Sequence, residues 1–235
     1  MGKSLARRLH VSLYVQKIVD FGHESCFWHV YHVQMRTISC PQKSSEKQIV
    51  KILTRTPIVI TEQVEELCSE LDDSQKPRYI PVRPNPDSEV NECFFNVRAK
   101  VEKDGGGIQF GWTIWEWTNI MIEAVFHAVW ISRKDEQIDI TPKPKNVRWV
   151  LFLPDNTHAY DYNRGYYRID NVRRPLSNSP LVAEFIATFE QIFEFEEKRF
   201  PGRYIDPEDP AFELLEELRE KRALIGLRLQ SQSEL

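Results

Sequence analysis

Cys93, His127 and Asp139 are the residues whose types and order could carry covalent chemistry. A thiolate is a nucleophile, an imidazole can take the thiol proton, and a carboxylate can fix the imidazole tautomer. Cys93 falls in the first turn or so of a helix expected over residues 89–103, behind Ser88 and Asn91 as candidate caps. Backbone N–H groups and the dipole at such a terminus favour the thiolate. The competing reading is a core cysteine packed beside Phe94 and Phe95, because free cysteines are among the most buried residues. His127 sits midway along residues 121–131, whose two alternating faces are both largely apolar. An imidazole in so covered a strand requires a partner, structural or catalytic. Asp139 alternates with Ile138 and Ile140. A turn centred on Arg133 puts it directly opposite His127, and one centred on Lys134 puts it diagonal on the same face. A two-residue turn of the other parity separates the two.

The elements that must hold these residues follow from periodicity. Residues 62–71 carry Val64, Leu67, Cys68 and Leu71 at helical spacing behind Thr61 as N-cap. Pro77, Pro81, Pro84 and Pro86 force an extended crossing over 76–88. The helix bearing Cys93 carries Val90, Phe94, Val97 and Val101 on one stripe and stops at Asp104-Gly105-Gly106-Gly107. The period then changes to two, and strands are expected over 108–117, 121–131, 137–141 and 147–153, with a fifth over 166–172. Ser179-Pro180 opens a helix to about Phe200, a last helix runs from about Pro210 to Leu224, and Gln230–Leu235 should fray. The expected fold class is α+β: an antiparallel meander sheet packed on the Cys-bearing helix, with C-terminal helices. The expected division is a basic N-terminal arm (1–54), an α+β domain (55–205), and an acidic C-terminal helix and tail (206–235).

Charge and composition narrow the function. The chain has 235 residues, 41% hydrophobic and 28% charged, enough for a real core. A formal net charge of −4 argues against a generic nucleic-acid binder. Residues 1–60 hold nine Lys/Arg against three Asp/Glu, whereas residues 181–235 hold seven against thirteen. The two ends therefore lie near each other or face different surroundings. Apolar stretches are too short for a membrane span, and no signal-peptide core follows the basic N-terminus. Four irregularly spaced cysteines suit a reducing compartment, so a cytoplasmic location is expected.

His23, Cys26, His29 and His32 recur every third residue, but neither a helix nor a strand converges that spacing on one ion; only an irregular loop could, and no metal or other cofactor is expected. Five of the six tryptophans lie between positions 112 and 149. Sheet-core packing accounts for most of them, and an aromatic cleft built by Trp112, Trp115 and Trp130 is the functional reading. Glu116 and Glu123 flank one hairpin and read as ordinary surface or edge charges. No phosphate-loop signature is present.

The stretch Phe126-His127-Ala128-Val129-Trp130, followed by Ile138-Asp139-Ile140-Thr141-Pro142, resembles the His and Asp strands of the transglutaminase-like (papain-like) thiol hydrolase superfamily. Cys93, then Gly105-Gly106-Gly107 and Phe110-Gly111-Trp112, is similar in order to the upstream half of its pattern. The likeness covers about residues 88–142 and departs from the pattern in having Phe94 where Trp is usual and a short His-to-Asp gap. It implies Cys93 as nucleophile, His127 as base and Asp139 as orienter, cleaving or transferring a peptide or amide bond through a thioester. The alternative from another class is a non-catalytic binding protein that keeps the fold and uses the Trp-rich groove.

Overall fold

The structure is a computed structural model describing residues 12–15, 31–36, 48–50, 54–143, 147–163, 168–200 and 207–233. Strands β1 (Ser12–Val15), β2 (Tyr31–Arg36) and β3 (Gln48–Val50) form an antiparallel three-stranded sheet within the segment expected as an arm. Helix α1 (Glu62–Leu71) starts as its sequence requires: Thr61 Oγ1 accepts from the Val64 N–H at 3.4 Å.

A six-stranded sheet follows. Its path runs β4 (Arg78–Pro81), β8 (Trp149–Pro154), β5 (Gly107–Trp117), β6 (Met121–Ile131) and β7 (Gln137–Ile138), with β9 (Val172–Pro175) off this path, pairing the start of β6 where β7 pairs its end. The meander β5–β6–β7 is as expected, but the fourth strand leaves it: β8 pairs β5 on the far side, not β7. The fifth strand lies at 172–175, pairing the start of β6 with Met121 opposite Pro175; of the span expected for it, 168–171 is not strand and 166–167 lies outside the described residues.

The proline-rich crossing closes this sheet into a near-barrel. Asp139 N donates to Pro81 O, Arg83 N to Asp139 O, and Asn85 N to Ile140 O, at 2.8–3.0 Å. Proline fits there because Pro81 offers only its carbonyl to the next strand. Alternation then sorts residues to two sides of the wall. Ile80, Val82, Trp115, Val125, Val129, Val150 and Phe152 fill the inside. Trp112, Ile114, Ala124, Phe126, Ala128, Ile138, Leu151 and Leu153 face out, where α1 and helix α2 (Cys93–Asp104) cover them with Val64, Leu67, Cys93, Phe94 and Val97.

Helix α2 starts four residues later than the apolar stripe suggested. Asn91 takes a left-handed turn at φ 64°, and the helix ends at Gly105, φ 73°. Helices α3 (Pro180–Arg199) and α4 (Ala211–Ser233) pack on each other and on Trp117 and Met121. Gln230 to Ser233 is helical rather than frayed, because Ile225 and Leu229 are buried against α3 and hold the last turns. Among the described residues, no helix is long and apolar enough to cross a membrane.

Candidate functional site

The turn between β6 and β7 centres on Lys134, since Trp130 stands opposite Ile138 and Ile131 opposite Gln137. Asp139 is therefore opposite Val129 and diagonal to His127 on the inner face, within reach across the pleat. His127 Nε2 lies 3.0 Å from Asp139 Oδ2, with both side chains buried. A third group, which sequence reasoning missed, joins them. Lys143 Nζ lies 2.9 Å from the same Asp139 oxygen and 3.3 Å from His127 Nε2. The Lys143 signal was its spacing of four from Asp139, just past Thr141-Pro142. The other carboxylate oxygen, Oδ1, accepts from the Thr141 N–H at 3.0 Å.

Burial opposes ionisation of Asp139, but Lys143 and His127 outweigh it and hold the carboxyl well below the usual range. An ionised Asp139 accepts from both Lys143 and the His127 Nε2–H, which makes the 3.3 Å Lys–His approach a contact between two donors sharing one acceptor. That assignment places the basic lone pair of His127 on Nδ1.

This cluster lies beside a cavity of about 30 Å³ at one end of the barrel. Thr113, Trp115, Glu123 and Val125 line it from β5 and β6, Thr141 and Pro142 from the segment after β7, and Thr54 and Asn91 from flanking loops. Gly111 is the β5 residue directly opposite His127. A Cβ there would lie 2.2 Å from Leu153 O and 2.6 Å from the Phe152 ring, so only glycine lets β8 close against β5 at this level.

Cys93 is not part of this cluster. It is fully buried among the outward-facing residues of the wall, whereas His127 projects inward between Val125 and Val129. The expected nucleophile and base are on opposite faces of the sheet. The first turn of α2 lies flat on the outer apolar face, so helix packing rather than terminus chemistry decides the environment of the thiol. Cys68 is a second buried thiol, which burial, aided by Glu65, pushes up to about 12. Cys26, Cys40, His23 and His29, and the side chain of His32, lie outside the described residues.

The three tryptophans do not form one cleft. Trp112 and Trp130 face outward and Trp115 inward, because an odd spacing along a strand, or its cross-strand equivalent, changes face. Trp112 Nε1 donates to Asp155 Oδ2 at 2.8 Å, and Trp130 Nε1 to Gly105 O at 2.9 Å. Trp115 alone lines the cavity, its Nε1 donating to Thr113 Oγ1 at 3.2 Å. Glu116 forms a bridge with Arg55 through its backbone, and Glu123, expected as an ordinary surface or edge charge, lines the cavity.

A second imidazole–carboxylate pair exists outside the barrel. His158 Nδ1 lies 2.7 Å from Asp155 Oδ2, while Asp155 Oδ1 accepts from the Thr157 and His158 N–H groups and the Thr157 hydroxyl. Burial opposes ionisation of Asp155 too, but these donors prevail and bring its carboxyl down to about 2. Among the described residues, no group of three or more His, Cys, Asp or Glu side chains could hold a metal ion.

The chain matches no family model, no curated protein and no solved structure. The resemblance to the transglutaminase-like superfamily therefore rests on the short motifs around Cys93, His127 and Asp139.

Proposed function

We propose that this protein is a binding domain that takes a small polar group into the barrel-end cavity, with His127, Asp139 and Lys143 as the preorganised recognition cluster. The observation that carries this reading is the sheet wall between Cys93 and His127. Thioester chemistry requires the thiol within hydrogen-bond reach of its base and open to an acyl donor. Cys93 is buried on the other side, whereas the polar cluster borders a cavity without it. Such a cluster is costly to bury unless fully paired, and here every member is held by another. The cavity size suits a polar group of a few heavy atoms rather than an enclosed peptide.

Timed iodoacetamide labelling with peptide mapping tests this reading. Native Cys93 should label as slowly as buried Cys68 from mildly acidic to mildly basic pH, and both should label rapidly in denaturant. Fast labelling of native Cys93 at about pH 6, abolished by His127→Ala, would restore the thiol-enzyme reading and overturn this one.

A further inference from the structure

The charged side chains around the cavity are already bound to one another. Lys143 is 2.9 Å from Asp139. Glu123 Oε1 receives Arg173 Nε at 2.7 Å and Asn171 Nδ2 at 3.0 Å. Arg173 reaches on to Asp170, whose carboxyl is pushed up by its burial against the pull of that guanidinium. Among the described residues, the carboxylate that lines the cavity, Glu123, thus has a cation in its own shell, and the ammonium that lines it, Lys143, has a carboxylate in its own. A ligand carrying net charge would have to lie uncompensated in a buried site or draw a counter-ion out of an existing pair, and both are costly.

A neutral dipolar group faces no such cost. An ammonium has three N–H donors and a carboxylate about four acceptor positions, so Lys143 and Glu123 both keep hydrogen-bonding capacity after pairing. Donors and acceptors are thus offered to one small space, and the Thr54, Asn91 and Thr141 side chains add both kinds. On the reading of the cavity as a binding site, we infer that its ligand is a primary carboxamide. The carbonyl oxygen accepts from Lys143 and the amide N–H donates to Glu123, carried either by a small free amide or by an exposed Gln or Asn side chain.

Three probes of nearly equal size separate the charge classes: formamide, formate and methylammonium. Each is titrated into the full chain with the Trp115 indole N–H resonance as reporter, since that ring lines the cavity. Formamide should shift it saturably with a Kd on the order of 10 mM, as expected for three heavy atoms. Formate and methylammonium should bind at least about tenfold more weakly. Glu123→Gln, whose fold is checked by circular dichroism, should weaken formamide severalfold; if it does not fold, the probe series on the unmodified chain decides. A Gly-Gln-Gly peptide that shifts Trp115 at lower concentration than formamide identifies a side chain as the source, and the reverse order identifies a free amide. Tighter binding of formate or methylammonium overturns the carboxamide assignment while leaving the cavity as a binding site. No saturable shift with any probe overturns both.

Discussion

Replacing Lys143 by Met removes the cation from a carboxylate that has no exposure of its own. In the native protein Asp139 Oδ2 holds Lys143 at 2.9 Å and His127 at 3.0 Å. Breaking one partner from a buried pair costs about 3–5 kcal/mol, because the remaining charge stays desolvated. The loss has a built-in remedy. His127 already touches the same oxygen and can take up a proton to restore neutrality. Proton uptake in the folded variant contributes stability that is full below the ordinary imidazole range and fades as pH rises. The variant should therefore be destabilised by about 3–5 kcal/mol at about pH 8 and by about 1–2 kcal/mol less at about pH 5.5. Urea unfolding of both proteins at the two pH values measures this directly. A destabilisation below about 1 kcal/mol at the higher pH, or one that is the same at both, would refute the charge-pairing argument.

Two further predictions concern the wall and the outer pair. Gly111→Ala should cost about 3 kcal/mol or more, a drop of roughly 6–12 °C in Tm, since its Cβ would meet the Leu153 carbonyl oxygen at 2.2 Å; a melt shifted by less than about 2 °C would show that β8 can move away. Asp155, brought down to about 2, contributes stability that is full above the ordinary carboxylate range and lost as pH falls through that value. Allowing for screening at this loop, the contribution is roughly 1–2 kcal/mol, so Asp155→Asn should be less stable at neutral pH and show a shallower acid-unfolding limb. An unchanged acid limb would remove Asp155 from the acid response.

Local chemistry was legible where one residue and its neighbours in sequence decide the outcome. Thr61 caps α1, Gly105 stops α2 and Pro180 opens α3 because caps, left-handed turns and proline act within a single turn of chain. The alternation of β6 and β7 places His127 and Asp139 on a common face once the turn parity is fixed, and a hairpin fixes it over only a few residues. The α+β class and the Trp-rich core strands follow from the same short-range periods.

Which side of the sheet faces which partner is a different kind of fact. Both faces of β6 are apolar, so its sequence is equally consistent with α2 lying against His127 or against Phe126. Tertiary packing chose Phe126, leaving Cys93 outside the wall and His127 inside it. Closure of the barrel by the Pro81–Asn85 segment, the pairing of β8 with β5, and the meeting of Glu123 and Lys143 at one cavity also join residues far apart in sequence. A strand's period states that its residues alternate; it cannot state what lies across each face, because that depends on the summed burial of every element packed there.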